Sequence, residues 1–166
     1  HFIDPLFTHT TTGFTRPGDE EHPYLASVSC VHDPEEEGFV QEMIMQPEEA
    51  AKRVSAIPAG DGSFRTIPPE AFPEQVQIIS RDEAGYALQL QIGGFPFNGE
   101  EVRLALGLPS ACFELNRHGS DVRFTVRGRG HGWGLSQTEA QALAEDGWSA
   151  EAILEYFYTG ISFSSE

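Results

Sequence analysis

The chain has 166 residues, 39% of them hydrophobic and 11 of them proline, which fits one loop-rich domain with enough length for a real core. Ten basic against 26 acidic residues give a formal charge of −16, a surface that repels nucleic acid and anionic membranes. No apolar run reaches the ~20 residues of a membrane span, no signal peptide is present, and two cysteines are too few for a disulfide scaffold.

The chain opens on His-Phe-Ile-Asp with no initiator Met, which reads as a processed protein or an excised fragment. Residues 1–23 are turn-rich, with Thr10, Thr11, Thr12 and Gly13 ahead of Arg-Pro-Gly-Asp, and read as loop. Tyr24 to Cys30 alternates well enough to predict a short strand, and His32 to Glu37 an acidic turn. Glu35, Glu36 and Glu37 read as a solvated face. Pro47 to Val54 predicts a helix, since Pro47, Glu48 and Glu49 suit a first turn. From Gln75 two alternating runs, around Val76–Arg81 and Tyr86–Ile92, flank Asp82-Glu83-Ala84-Gly85 and predict an antiparallel hairpin. Asn98 caps a predicted helix through Leu106 that Gly107 ends. A second strand pair, Cys112–Leu115 and Val122–Val126, turns at His118-Gly119-Ser120. Two closing helices follow, Gln137–Asp146 and one capped by Ser149 that carries Ile153, Leu154, Phe157 and Tyr158. The fold class is α+β: antiparallel β-hairpins with a C-terminal helical hairpin packed on the sheet.

Between the last predicted strand and the first closing helix lies Arg127-Gly-Arg-Gly-His-Gly-Trp-Gly-Leu-Ser-Gln137. Four glycines alternating with Arg129, His131 and Trp133 suit neither strand nor helix; they suit a backbone that bends sharply while aiming chosen side chains. Ser136 to Glu139 reads as a capping box, so the loop enters a helix N-terminus where backbone N–H groups are available to a polar ligand. Neither a Walker A loop nor the dinucleotide fingerprint is satisfied. Ser136 reads as a cap rather than a nucleophile. The six histidines lack zinc-ligand spacing, so no metal and no cofactor is expected.

Gly130-His-Gly-Trp-Gly-Leu-Ser-Gln137 resembles the Gly-His-Gly-Val-Gly-Met-Ser-Gln motif of the stage II sporulation protein D family, which includes the amidase-enhancer proteins. The likeness continues through Ala140, Leu143, Ala144, Gly147 and Ile153-Leu154 to Phe157-Tyr-Thr-Gly160. Upstream it takes in Arg103 with Leu106 to Ser110, the Phe7–Thr15 loop and Pro23 to Val28, and so spans nearly the whole chain.

The resemblance implies a peptidoglycan lytic transglycosylase-like domain in the bacterial cell envelope, outside the cytoplasm. Such an enzyme cleaves denuded glycan strands to 1,6-anhydro ends: a carboxylic acid protonates the glycosidic oxygen and the muramic C6 hydroxyl closes on the anomeric carbon. The family's Glu-Met-Pro segment with the catalytic Glu, and the cysteine pair that binds zinc in some members, are absent. The chain therefore resembles the C-terminal part of the family domain, and no residue here is assigned catalysis. Expected substrate-binding residues are Arg129, His131, Trp133 and Gln137, with Tyr24 and Arg103 as further candidates. Implied partners are glycan strands, an N-acetylmuramoyl-alanine amidase and a segment supplying the catalytic Glu. Two other readings stand beside this one: a non-catalytic glycan-binding or amidase-enhancing module, and a phosphate-binding enzyme using the helix N-terminus.

Overall fold

The computed structural model describes residues 2–164; the reading of His1 as a processed start lies outside them. In chain order the elements are β1 (Phe7–Thr8), β2 (Val40–Met45), α1 (Pro47–Ser55), β3 (Val76–Arg81), β4 (Ala87–Ile92), β5 (Phe95–Asn98), α2 (Gly99–Leu106), β6 (Phe113–His118), β7 (Asp121–Arg127), β8 (Leu135–Ser136), α3 (Gln137–Glu145) and α4 (Ala150–Phe157). The fold is α+β, with antiparallel sheets and C-terminal helices, as the sequence predicts. The chain divides into two compact units: His1–Phe39 with Gly128–Glu166, and the intervening Val40–Arg127.

The inserted unit holds two three-stranded antiparallel sheets, ordered β2-β7-β6 and β3-β4-β5. β7 shows why it folds as it does: Val122, Phe124 and Val126 alternate inward against Arg123, Thr125 and Arg127. Phe124 meets Phe113 edge to face at 6.2 Å, within a core that includes Val54, Phe72, Leu90, Ile92, Val102 and Leu106. Each such side chain contributes about 1.5–3 kcal/mol on burial. The β3–β4 hairpin forms where alternation places it, and Asp82 Oδ1 accepts the N–H groups of Ala84 and Tyr86 to close the turn. Asn98 Oδ1 caps α2 by accepting from Glu100 and Glu101 N–H, and Gly107 ends it in the left-handed region at φ 70°. β2 and β5 carry no clear sequence signal. Val40-Gln-Glu-Met-Ile-Met45 does not alternate in hydrophobicity, and Pro96 argues against a strand that survives as a short sheet edge.

The first unit has little ladder structure. β1 and β8 form a two-residue parallel pair, and α3 and α4 bury Leu143, Ile153 and Phe157 with Leu25, Cys30 and Tyr158. Ser149 Oγ caps α4 by accepting from Ala152 N–H. The predicted strand over Tyr24–Cys30 is corrected here: the segment makes only isolated bridges, Leu25 to Tyr158 and Ser29 to Phe14. Its polar groups go instead to loop partners. Thr15 N–H donates to the Val28 carbonyl, Cys30 N–H to the Gly13 carbonyl, and Thr15 Oγ1 to the Ala26 carbonyl. A side-chain hydroxyl has taken a place that a neighbouring strand would fill.

Candidate functional site

The glycine loop is shaped by how closely it lies on residues 6–11. Gly130 has φ 108°, and a Cβ there would stand 2.2 Å from Thr8 Oγ1. At Gly134, with φ 76°, a Cβ would meet the Leu6 carbonyl oxygen at 1.9 Å. Only glycine satisfies both the left-handed backbone and the contact. Main-chain hydrogen bonds use that closeness: Arg129 and Thr10 exchange N–H to carbonyl bonds at 2.8 and 3.0 Å, and Leu135 N–H donates to the Leu6 carbonyl.

Side chains then fix what the loop presents. Arg16, 3% exposed, lays its guanidinium 3.8 Å from the centre of the Trp133 ring and donates through Nη1 to the His131 carbonyl. Trp133 Nε1–H donates to the Pro17 carbonyl at 3.1 Å, while the His131 ring lies 5.6 Å from the indole, tilted by 32°. His131 Nδ1 accepts from the Trp133 N–H at 3.0 Å, so the proton of the neutral ring sits on Nε2. Both rings are half-buried: neither is sunk in the core, and neither stands free in solvent. Trp133 forms one wall of a groove of about 320 Å³ that Leu6, Pro17, Gly18, Asp19, His22 and Leu25 complete.

Beneath the loop is a buried polar hub that the sequence pattern did not reveal. Asp33 is fully buried; its Oδ2 accepts from the Thr11 N–H and Oγ1–H, each at 2.6 Å, and its carboxylate from Ser136 Oγ–H at 2.8 Å. Burial raises its pKa, against the lowering effect of the Thr11 and Ser136 hydrogen bonds. Cys30, close by, is pushed up to about 12 by burial and then by Asp33, which leaves it an inert thiol. Ser136 Oγ accepts from the Glu139 N–H, as a cap should. Glu139 does not complete the predicted capping box. Its carboxylate, 2% exposed, takes the His32 N–H at 2.8 Å and His32 Nδ1 at 3.1 Å. That carboxylate is the first cause of a raised His32 pKa. A third group, His9 Nδ1 to Thr10 Oγ1 to Thr138 Oγ1, runs in steps of 2.7 and 2.9 Å beside the start of α3.

These contacts bear on the candidate residues unequally. Arg129, His131, Trp133 and Gln137 lie on one continuous segment of the first unit, Arg129 and Gln137 exposed. Tyr24 belongs to the same unit; its hydroxyl donates to the Asp4 carbonyl and its ring packs on Tyr158 at 6.3 Å. Arg103 belongs to the inserted unit, where it pairs with Glu100 and reaches the Pro109 carbonyl. The helix N-terminus is not open to an anion, because Thr138 N–H donates to the His9 carbonyl and Glu139 N–H to Ser136. The phosphate-binding reading fails there. No group of three or more His, Cys, Asp or Glu among the described residues is placed to hold a metal ion. Missed altogether were Arg16, His9, Asp19, His22 and Asp33. The partners of Arg16 and Asp33 are distant in sequence (Arg16 to His131 spans 115 positions), His9 reaches the distant Thr138 only through its neighbour Thr10, and the Asp19-Glu-Glu-His22 turn is signalled by spacing alone.

No family model matches this chain. It is 28% identical to stage II sporulation protein D of Bacillus amyloliquefaciens over 98% of its own length and 45% of the relative's. The same figures hold for stage II sporulation protein D of Bacillus subtilis (strain 168). The matches support a stage II sporulation protein D-like relationship along the chain, which spans under half the length of the relatives.

Proposed function

We propose that this chain is the glycan-contacting part of a sporulation-related, peptidoglycan-processing protein, and that the loop from Arg129 to Gln137 forms a wall of its sugar-binding cleft. The observation that carries this reading is the groove beside Trp133, where an indole held rigidly by Arg16 and the Pro17 carbonyl faces open space. An aromatic wall with a few fixed polar groups is how a protein holds a ring that is apolar on its faces and polar at its rim. Rigidity matters because binding then orders few additional groups.

The chemistry of glycan cleavage is a separate matter. A general acid for a glycosidic oxygen needs a protonated carboxyl that reaches the bond. Asp33 has a raised pKa but is sealed off and occupied by Thr11 and Ser136; Glu139 is buried against His32. Neither of these two buried carboxyls is placed for that task, and our reading is that the chain by itself binds glycan without cutting it. The test is to incubate it with glycan strands stripped of stem peptides. The expected outcome is co-sedimentation that Trp133→Ala abolishes, with no anhydro-sugar products by mass spectrometry. Anhydro products from the isolated chain would refute the non-catalytic assignment, and loss of binding with an unchanged fold in neither Trp133→Ala nor His131→Ala would refute the cleft.

A further inference from the structure

The charge of the protein is divided unevenly. The loop-bearing unit has 14 acidic residues against two basic ones, Arg16 and Arg129, a net −12; the inserted unit has 12 against eight, a net −4. A glycan made of N-acetylated and lactyl-bearing sugars is neutral or anionic, so a −12 unit does nothing to draw it in. Within the groove beside Trp133 the mismatch sharpens. Its rim is Asp19 and His22, followed in sequence by no nearby Lys or Arg and interleaved with Glu20 and Glu21. The cation nearest the groove wall is Arg16, 3% exposed, which stacks on the indole and donates to the His131 carbonyl.

From this geometry we infer that the groove formed by Leu6, Pro17, Asp19, His22, Leu25 and Trp133 takes a hexosamine whose amine is free and protonated, the de-N-acetylated form of a glycan sugar. The inference rests on the glycan-binding reading and names the substrate class of that site. Three features fit such a sugar. Leu6, Leu25 and Pro17 give the groove an apolar floor for the C–H face of the ring. Trp133 offers an indole wall for the C–H groups of the ring. Asp19 is a carboxylate held below the usual range, chiefly by its 2.7 Å hydrogen bond with His22 Nδ1. The hydrogen bonds it accepts, from Glu21 N–H, His22 N–H and His22 Nδ1, all fall on Oδ1, and its side chain remains 70% exposed. The turn thus engages one oxygen, and the other is the one left for an ammonium group. An N-acetyl group at that position replaces the cation with a neutral amide and forfeits the ion pair.

The experiment is a titration of the full chain, followed by indole fluorescence and calorimetry, with two β-1,4-linked tetrasaccharides: one of glucosamine, one of N-acetylglucosamine. It is run at about pH 6, where a primary amine is protonated, and repeated in about 0.5 M salt, where unspecific attraction over long range is screened. The glucosamine tetramer is expected to bind about fivefold tighter, the scale of an exposed ion pair, and to keep a preference in salt. Asp19→Asn should erase that preference; its circular dichroism and melting show that the fold is intact. Equal or tighter binding of the N-acetylated tetramer overturns the inference and leaves the glycan reading standing. Preference that survives Asp19→Asn, or tri-lysine displacing the sugar at equal concentration, also overturns it, as the sign of a general cationic attraction. Failure of both sugars to bind removes this inference and the glycan reading together.

Discussion

The two units solve the problem of holding a chain together in different ways. The inserted unit relies on ladders and an apolar core, with Phe113, Phe124, Leu90 and Val122 each 1% exposed or less. The loop-bearing unit has two two-residue strands and a modest apolar cluster, and it fixes its backbone with buried polar groups at Asp33, Thr11, Ser136 and Glu139. Apolar packing is nondirectional and tolerates change of shape; a polar hub specifies one geometry and is costly when left half-satisfied. The unit expected to contact ligand is the one whose geometry is specified by hydrogen bonds. Precision of side-chain placement, rather than bulk stability, is what that choice gives.

Four substitutions or conditions break or sharpen the contrast. Phe124→Ala removes a core ring from the inserted unit and should lower stability by about 4 kcal/mol, within the range for such truncations; chemical denaturation measures it, and hydrogen exchange should show the loss in β6 and β7. Gly134→Ala forces a Cβ onto the Leu6 carbonyl at φ 76° and should cost about 3 kcal/mol, with exchange rising first in residues 6–11 and 128–136. Asp33→Ala leaves the Thr11 and Ser136 hydroxyls without their acceptor and should cost about 2–3 kcal/mol. It should also loosen the loop more than Phe124→Ala does. If Asp33→Ala and Phe124→Ala open the same segments to exchange, the two units are not held together in different ways.

The smallest effect is that of pH. His32 has a raised pKa in the folded protein, so its bond to Glu139 adds stability that is fully present below the ordinary histidine pKa and is lost as pH rises through the raised value. Asp33, also raised, acts in the same direction, since its ionisation in a buried site opposes folding. The loop-bearing unit should therefore be more protected from exchange on the acid side of neutrality than on the alkaline side. His32→Gln should flatten the part of that slope lying above the ordinary histidine range. A slope of opposite sign would show that other groups dominate.

Much of the fold can be read from local pattern. The β3–β4 hairpin, the Asn98 and Ser149 caps and Gly107 all express rules that operate over a few residues, and the structure places each where the pattern does. The glycine loop could likewise be read as a sharp bend, but the reason for its glycines was not local. Gly130 and Gly134 are glycine because residues 6–8 lie against them, more than 120 positions away. The polar hub escaped for the same reason, with Asp33 and Ser136 separated by 103 positions and His32 and Glu139 by 107. Glu139 shows how a local rule misleads: the spacing from Ser136 predicts a capping box, yet a distant imidazole and backbone N–H hold the carboxylate instead. β2 was missed because three apolar residues in succession, Met43, Ile44 and Met45, obscure its period of two.

The central claim is that the loop from Arg129 to Gln137 meets a sugar. Two-dimensional NMR of the labelled chain, titrated with denuded glycan fragments, tests it most directly, because the Trp133 indole N–H and the His131 ring give resolved signals. The expected result is a saturating shift of the Trp133, His131 and Gln137 signals, with the inserted unit unmoved. Shifts confined to residues 40–127, or none at glycan concentrations that saturate co-sedimentation, would contradict it.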